Sequence, residues 1–211
     1  MLFRSNKTFN VVLTGLFMAI IIIMTTVPNL GYINLVVIKV TMVHVPVIIG
    51  SVLLGPKYGA VLGGTFGLTS LIVNTFNPSL LSFAFSPFYQ VGNIGGNGWS
   101  VVIALLPRTL VGIVPYFVYR LLNRLLENLQ GKKAISLTAA GISGALTNTV
   151  LVMSLIYVCF KDEFAVAKDI SVDAVFSAIL GIVAGNGIPE AAVGGVLTLL
   201  VGGALLRIKK N

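Results

Sequence analysis

Between Phe9 and Val27 the chain carries no charged side chain, and the run stops at Val27-Pro28-Asn29, a helix-ending sequence. A membrane-spanning helix needs roughly 20 consecutive apolar residues. This run meets that length and is too long for a cleavable signal peptide, so it is expected to stay as a first span. Further apolar stretches follow at Met42–Leu54, Ala60–Val73, Ser100–Leu122, Ala134–Phe160 and about Ile188–Leu206. Six spans nearly exhaust 211 residues. Only 9% of the residues are charged, against about 25% in a soluble domain. The expected fold is an all-α integral membrane protein: one domain over 1–211, with six transmembrane helices and long outer loops capping a ligand pocket.

The connections carry their own signals. Val36-Val37-Ile38-Lys39-Val40-Thr41 is largely β-branched and favours an extended, lid-like segment within Leu30–Thr41. Gly55 to Gly59 reads as a tight turn. Asn74 to Trp99 is the longest irregular stretch, and long loops in compact proteins are usually functional. Pro107 and Pro115 are expected to interrupt the fourth span, and Lys161 to Asp173 to form a charged loop. The break at Gly185-Asn186-Gly187-Ile188-Pro189 should divide the last segment into a short outer helix and the sixth span. Gly59, Gly63 and Gly67 recur every four residues, one helix face that a second helix can approach closely.

Lysine and arginine fix the orientation. With the N-terminus inside, Arg4, Lys7, Lys57, Arg120, Arg124, Lys132, Lys133, Arg207, Lys209 and Lys210 are cytoplasmic, whereas Lys39, Arg108, Lys161 and Lys168 are not. The positive-inside rule then places both termini in the cytoplasm. It also accounts for the net charge of +8 without a nucleic-acid partner.

Polar groups inside a membrane are costly and mark functional sites by default. On the outer half these are Lys39, His44, Asn74, Asn93, Asn97, Arg108, Asn148, Asn186 and Glu190. Amides with two cations suit a small solute bearing hydroxyls, amides and one negative charge. Arg108 is the leading candidate, because a guanidinium grips a carboxylate with two parallel hydrogen bonds. An Arg108–Glu190 ion pair is the structural alternative. His44, the only histidine, fits a core position or a substrate contact equally, and it has no partners at metal-ligand spacing. Trp99 and Tyr89 can stack on a ligand or anchor at the membrane interface. Gly92–Gly98 lacks the Gly-Lys-Ser/Thr ending of a phosphate loop, so no ATP site is expected. No catalytic set, metal motif or cofactor site is found, and Cys159 stands alone, so the chain is not read as an enzyme. Gly15 and Ala19 form a small-xxx-small pair for packing within the bundle or for docking another membrane subunit.

The junction Leu53-Leu54-Gly55-Pro56-Lys57-Tyr58-Gly59-Ala60 resembles the signature of the S components of energy-coupling factor (ECF) transporters. Gly15-x-x-x-Ala19 is similar to that family's Ala-x-x-x-Ala docking motif. Val43-His44-Val45-Pro46-Val47-Ile48-Ile49-Gly50, Phe85-Ser86-Pro87-Phe88, Leu106-Pro107-Arg108 and Asn186-Gly187-Ile188-Pro189-Glu190 look like the pantothenate-type member. Many relatives have Asn-x-x-Lys at the start of span 6, where this chain has Glu190, so contacts there do not carry over.

The resemblance implies a membrane-embedded, high-affinity vitamin-binding subunit in the cell membrane. It would dock on a coupling transmembrane subunit driven by two ATPase subunits, and topple in the bilayer to deliver its vitamin. Pantothenate has a carboxylate, two hydroxyls and an amide, which match the polar inventory. The alternatives are an S component for folate or a pyridoxine-like vitamin, or a stand-alone small secondary transporter. The last predicts paired broken helices in internal repeats, and only the break at Asn186–Pro189 is present.

Overall fold

The computed structural model describes residues 7–27, 30–35, 38–92 and 94–208. It is mostly helical. Five helical segments are long and apolar enough to cross a membrane: Lys7–Thr26, Pro56–Phe76, Gly98–Leu125, Lys132–Cys159 and Val172–Ile208. His44–Leu54 is a shorter apolar helix.

The first helix, α1 (Lys7–Thr26), buries Thr14, Phe17, Ile21 and Thr25 and turns Val12, Leu16 and Ile23 outward. That is the inside-out distribution of a helix whose solvent is hydrocarbon. Its threonines do not need outside partners. Thr14 Oγ1 donates to Asn10 O at 2.7 Å and Thr25 Oγ1 to Ile21 O at 2.6 Å, each one turn back.

The extended segment forms an antiparallel hairpin, β1 (Tyr32–Leu35) with β2 (Ile38–Thr41), in register Tyr32 with Thr41 and Leu35 with Ile38. Pairing with itself satisfies backbone groups that the bilayer could not. Val36 and Val37, also read as extended, lie outside the described residues.

Helix α2 (His44–Leu54) rises only about 16 Å at 1.5 Å per residue, too short to span alone. Every residue from His44 to Leu53 is buried. It is the central post of the bundle, in contact with α1, with α3 (Pro56–Phe76), and with the later helices α5 (Val114–Leu125) and α6 (Lys132–Cys159). The expected five-residue turn shrinks to Gly55 alone, at φ +100°, because Pro56 is already in the first turn of α3.

The glycine stripe of α3 meets α4 (Gly98–Val111). A Cβ on Gly59 would overlap the Gly112 carbonyl oxygen, one on Gly63 the Arg108 carbonyl oxygen, and one on Gly67 would stand 2.8 Å from Ala104 O. Residues 104, 108 and 112 are themselves one turn apart, so the two backbones run against each other. Ser51 Oγ of α2 closes the crossing with a 2.5 Å hydrogen bond to Gly112 O.

Three expectations about interruptions are corrected. Pro107 does not end its helix, which runs on to Val111; the discontinuity is at Gly112-Ile113, and Pro115 sits in the first turn of α5. Lys161–Asp173 is not simply a loop. It contains α7 (Lys161–Lys168), with Asp162 and Glu163 in the first turn and Lys168 in the last, the charge order that a helix dipole favours. The last segment is not divided at Asn186. It runs from α8 (Val175–Ile182) through a π-helical turn (Val183–Gly187) into α9 (Ile188–Leu197), then through a second π turn (Thr198–Gly202) into α10 (Gly203–Ile208). Pro189 falls at the start of α9, and the wider turn before it takes up the strain.

Residues 77–92 and 94–97 fold back on the bundle. A short 3-10 turn (Ser82–Ala84) is followed by a small hairpin, β3 (Gln90–Val91) with β4 (Ile94–Gly95). Phe83 is fully buried edge-to-face on Phe160, with centroids 5.6 Å apart, and its carbonyl accepts from Ser100 Oγ at 2.6 Å.

Candidate functional site

A cavity of about 330 Å³ opens between α3, α4, α6 and the last helix. Its size suits a small ligand. Five of the polar residues singled out in the sequence converge on it: Asn74, Arg108, Asn148, Asn186 and Glu190. Thr41 of the β1–β2 hairpin and Ser79 and Leu81 of the folded-back segment complete its lining.

Arg108 is held there by its own neighbour in sequence. Pro107 has no N–H, so the carbonyl four residues back, Ile103 O, lacks the usual helical donor. A long side chain on a helix points back toward the helix N-terminus, and Arg108 Nη1 reaches Ile103 O at 2.7 Å. The guanidinium also lies over the rings of Phe85, 4.7 Å from the centroid, and Phe66, at 5.7 Å. Both rings line the cavity, and such contacts add to the hold on a desolvated cation. Arg108 is 7% exposed.

Glu190 faces it from α9 and is 6% exposed. Its Oε1 accepts from the backbone N–H of Thr41 at 2.8 Å, and its Oε2 from Thr149 Oγ1 at 3.0 Å. The carboxylate thus ties the hairpin, α6 and α9 together at the cavity wall. Beside Thr149, Asn148 also lines the cavity, and its Oδ1 is buried without a hydrogen-bond partner. Asn74 is locked at the end of α3: Nδ2 donates to Ser70 O at 2.8 Å, and Oδ1 accepts from Ser82 Oγ at 2.7 Å. The cavity therefore offers a cation on the α4 wall and acceptor oxygens on the α6 and α9 wall.

The other sequence candidates lie elsewhere. His44, at the start of α2, is buried against Gly194 of α9, where an added Cβ would stand 3.0 Å from its Nε2, and it does not line the cavity. Asn97 caps α4, with Oδ1 accepting from Trp99 N at 2.8 Å and Ser100 Oγ accepting from Asn97 N at 3.0 Å. Trp99 is 55% exposed on the first turn of α4. Tyr89 packs against the core around Phe83 and Phe160. Asn93 and the side chain of Lys39 lie outside the described residues; the backbone of Lys39 pairs with Asn34 in the hairpin. No cluster of three or more possible metal ligands occurs among the described residues. Sequence reasoning passed over Thr41, Ser70, Thr149, Phe66 and Phe85. Of these, Phe66 and Ser70 were within reach, since Phe66, Ser70 and Asn74 recur at every fourth position along α3.

Gly15 and Ala19 are exposed on α1, and a Cβ at Gly15 would meet no atom within 4 Å. This face is not used for packing within the described bundle.

Residues 9–202 match the family model described as the ECF transporter, substrate-specific component. The chain is 35% identical over 212 residues to the pantothenic acid transporter PanT of Lactococcus lactis subsp. cremoris, covering 99% of each. It is 32% identical over 214 residues to the pantothenate transporter PanT of Leuconostoc mesenteroides subsp. mesenteroides, covering 98% of this chain and 97% of that one. The crystal structure of the S-component for biotin from an ECF-type ABC transporter superposes with a TM-score of 0.45 at 18% identity, over 100% of this chain and 96% of that chain. With apolar helices long enough to cross a bilayer and relatives that are transporters rather than enzymes, this multi-pass protein of the cell membrane belongs to the family of substrate-specific components of ECF transporters.

Proposed function

We propose that the chain is the high-affinity vitamin-binding subunit of an ATP-driven ECF importer and that its vitamin is pantothenate. The observation that carries this reading is the polarity of the cavity: Arg108 on one wall, and Glu190 with the unpartnered Oδ1 of Asn148 on the other. Such a site asks for a ligand with an anionic end and hydroxyl or amide donors. Pantothenate has both. Pyridoxine has no carboxylate to set against Arg108, and folate brings two carboxylates to a cavity that already holds Glu190. The names of the two full-length relatives point the same way.

The six spans, with both termini in the cytoplasm, are the five long segments together with α2. The cavity then opens outward beneath the β1–β2 hairpin. Gly15 and Ala19 present a smooth face to the coupling transmembrane subunit, and two ATPase subunits supply the energy. The bound vitamin crosses when the whole body topples. The test begins with mass spectrometry of small molecules retained by protein purified from rich medium, where pantothenate is expected. Reconstituted alone, the chain should bind pantothenate without concentrating it, and ATP-driven uptake should need the coupling subunit and ATPases. A different retained vitamin would overturn the assignment of substrate, and concentrative uptake by the chain alone would overturn the importer reading.

A further inference from the structure

We infer that Pro107 is a positioning residue for the ligand's anionic end, acting through Arg108. A proline inside a helix is strongly destabilising, yet α4 carries one through to Val111. What the proline supplies is an acceptor. With no N–H at position 107, Ile103 O is left open on the buried face, and Arg108 Nη1 takes it at 2.7 Å. A carbonyl engaged by an ordinary helical N–H would hold the guanidinium less firmly. Ile103 O, Phe85 and Phe66 together hold the guanidinium at the cavity wall. An arginine held before the ligand arrives loses less side-chain freedom on binding. The Pro107-Arg108 pair thus acts as one unit: the first residue removes a donor and the second supplies it. This inference rests on the reading of Arg108 as the carboxylate contact.

The experiment is Pro107→Ala, alone and combined with Arg108→Met. Alanine restores the N–H that can bond to Ile103 O. In the ligand-free protein in detergent, Arg108→Met should lower the melting temperature by a few degrees. It should lower it clearly less in the Pro107→Ala background, where the carbonyl keeps a partner. Equal losses in both backgrounds would overturn the anchor. With ligand, Pro107→Ala should weaken pantothenate binding about three- to tenfold, the factor that such an ordering cost corresponds to. It should leave the neutral alcohol analogue nearly unchanged and have no further effect once Arg108 is Met. Parallel losses for acid and alcohol, or a persistent effect of Pro107→Ala without Arg108, would overturn the positioning role. Arg108→Met tested alone on the two ligands checks the underlying carboxylate contact, so the two failures are told apart.

Discussion

Thr149 and Glu190 stand on different helices and share a hydrogen bond, Oγ1 to Oε2 at 3.0 Å, at the wall of the cavity. The other oxygen of the same carboxylate accepts from the backbone of Thr41. One acidic side chain thereby couples the extracellular hairpin of the proposed topology to two spans. Thr149→Val should remove a donor to a buried carboxylate and cost about 1–3 kcal/mol of stability, read as a lower melting temperature. Glu190→Gln keeps the shape but weakens the acceptor facing Thr41. Amide hydrogen exchange in residues 38–41 should then quicken in the ligand-free protein; unchanged exchange would mean that the hairpin is held without this carboxylate.

Arg108 faces that wall. Arg108→Ala should weaken pantothenate binding by about 2–5 kcal/mol, the usual cost of stripping a buried charge of its partner. Arg108→Lys should also impair binding, since a point ammonium cannot reproduce a two-pronged contact. Calorimetry with the acid and its neutral alcohol analogue separates the roles. A loss confined to the acid identifies the carboxylate contact, and equal losses assign Arg108 to structure alone.

Adjacent glycines on α3 should answer differently to the same change. Gly63→Ala puts a Cβ into the Arg108 carbonyl and should cost about 1–3 kcal/mol, as overpacking does. It should also disturb ligand binding, because the backbone it displaces carries Arg108. At Gly64 an added Cβ meets nothing within 4 Å, so Gly64→Ala should be neutral or slightly stabilising. Thermal unfolding of the two variants in one detergent makes the comparison.

The exposed pair on α1 gives a fourth outcome. Gly15→Leu and Ala19→Leu add bulk on one face, four residues apart. Vitamin binding should stay near normal while co-purification with the coupling subunit and uptake are lost. Loss of vitamin binding in parallel would place the defect inside the bundle instead of at a docking face.

The parts of this fold that were legible in the sequence are those set by a single strong physical term. Long apolar runs belong in lipid, and they marked the five helical segments long enough to cross a membrane, whereas the run of α2 makes a shorter helix. Gly59, Gly63 and Gly67 marked a face open to close helix approach, and α4 is the helix that meets it. Arg108, Asn74, Asn148, Asn186 and Glu190 were legible because charged and amide groups are costly among apolar spans, and the fold brings these five to one cavity. His44 shows the limit: a lone polar residue in an apolar run reads alike whether its ring meets a cavity or a neighbouring helix, and only the packing of Gly194 decides. Asn97 carried a signal that was passed over, since Asn97-x-x-Ser100 has the spacing of reciprocal capping. The acid-first, lysine-last order of Lys161–Lys168 likewise spelled a helix. Thr149 could not have been found, because its role depends on which residue of α9 stands opposite.

The two π turns of the last helix give that segment a tolerance of length that an ordinary span lacks. Each accommodates one residue more than the α turn it replaces. Deleting a single residue within Val183–Gly187 would let the backbone close as an ordinary helix, with no loop and no gap. The residues on either side, Ile182 and Glu190 among them, would keep their facing toward the cavity, because the wider turn is itself one residue inserted into an α-helix. The same deletion in a stretch without such a turn would rotate everything beyond it by about 100°.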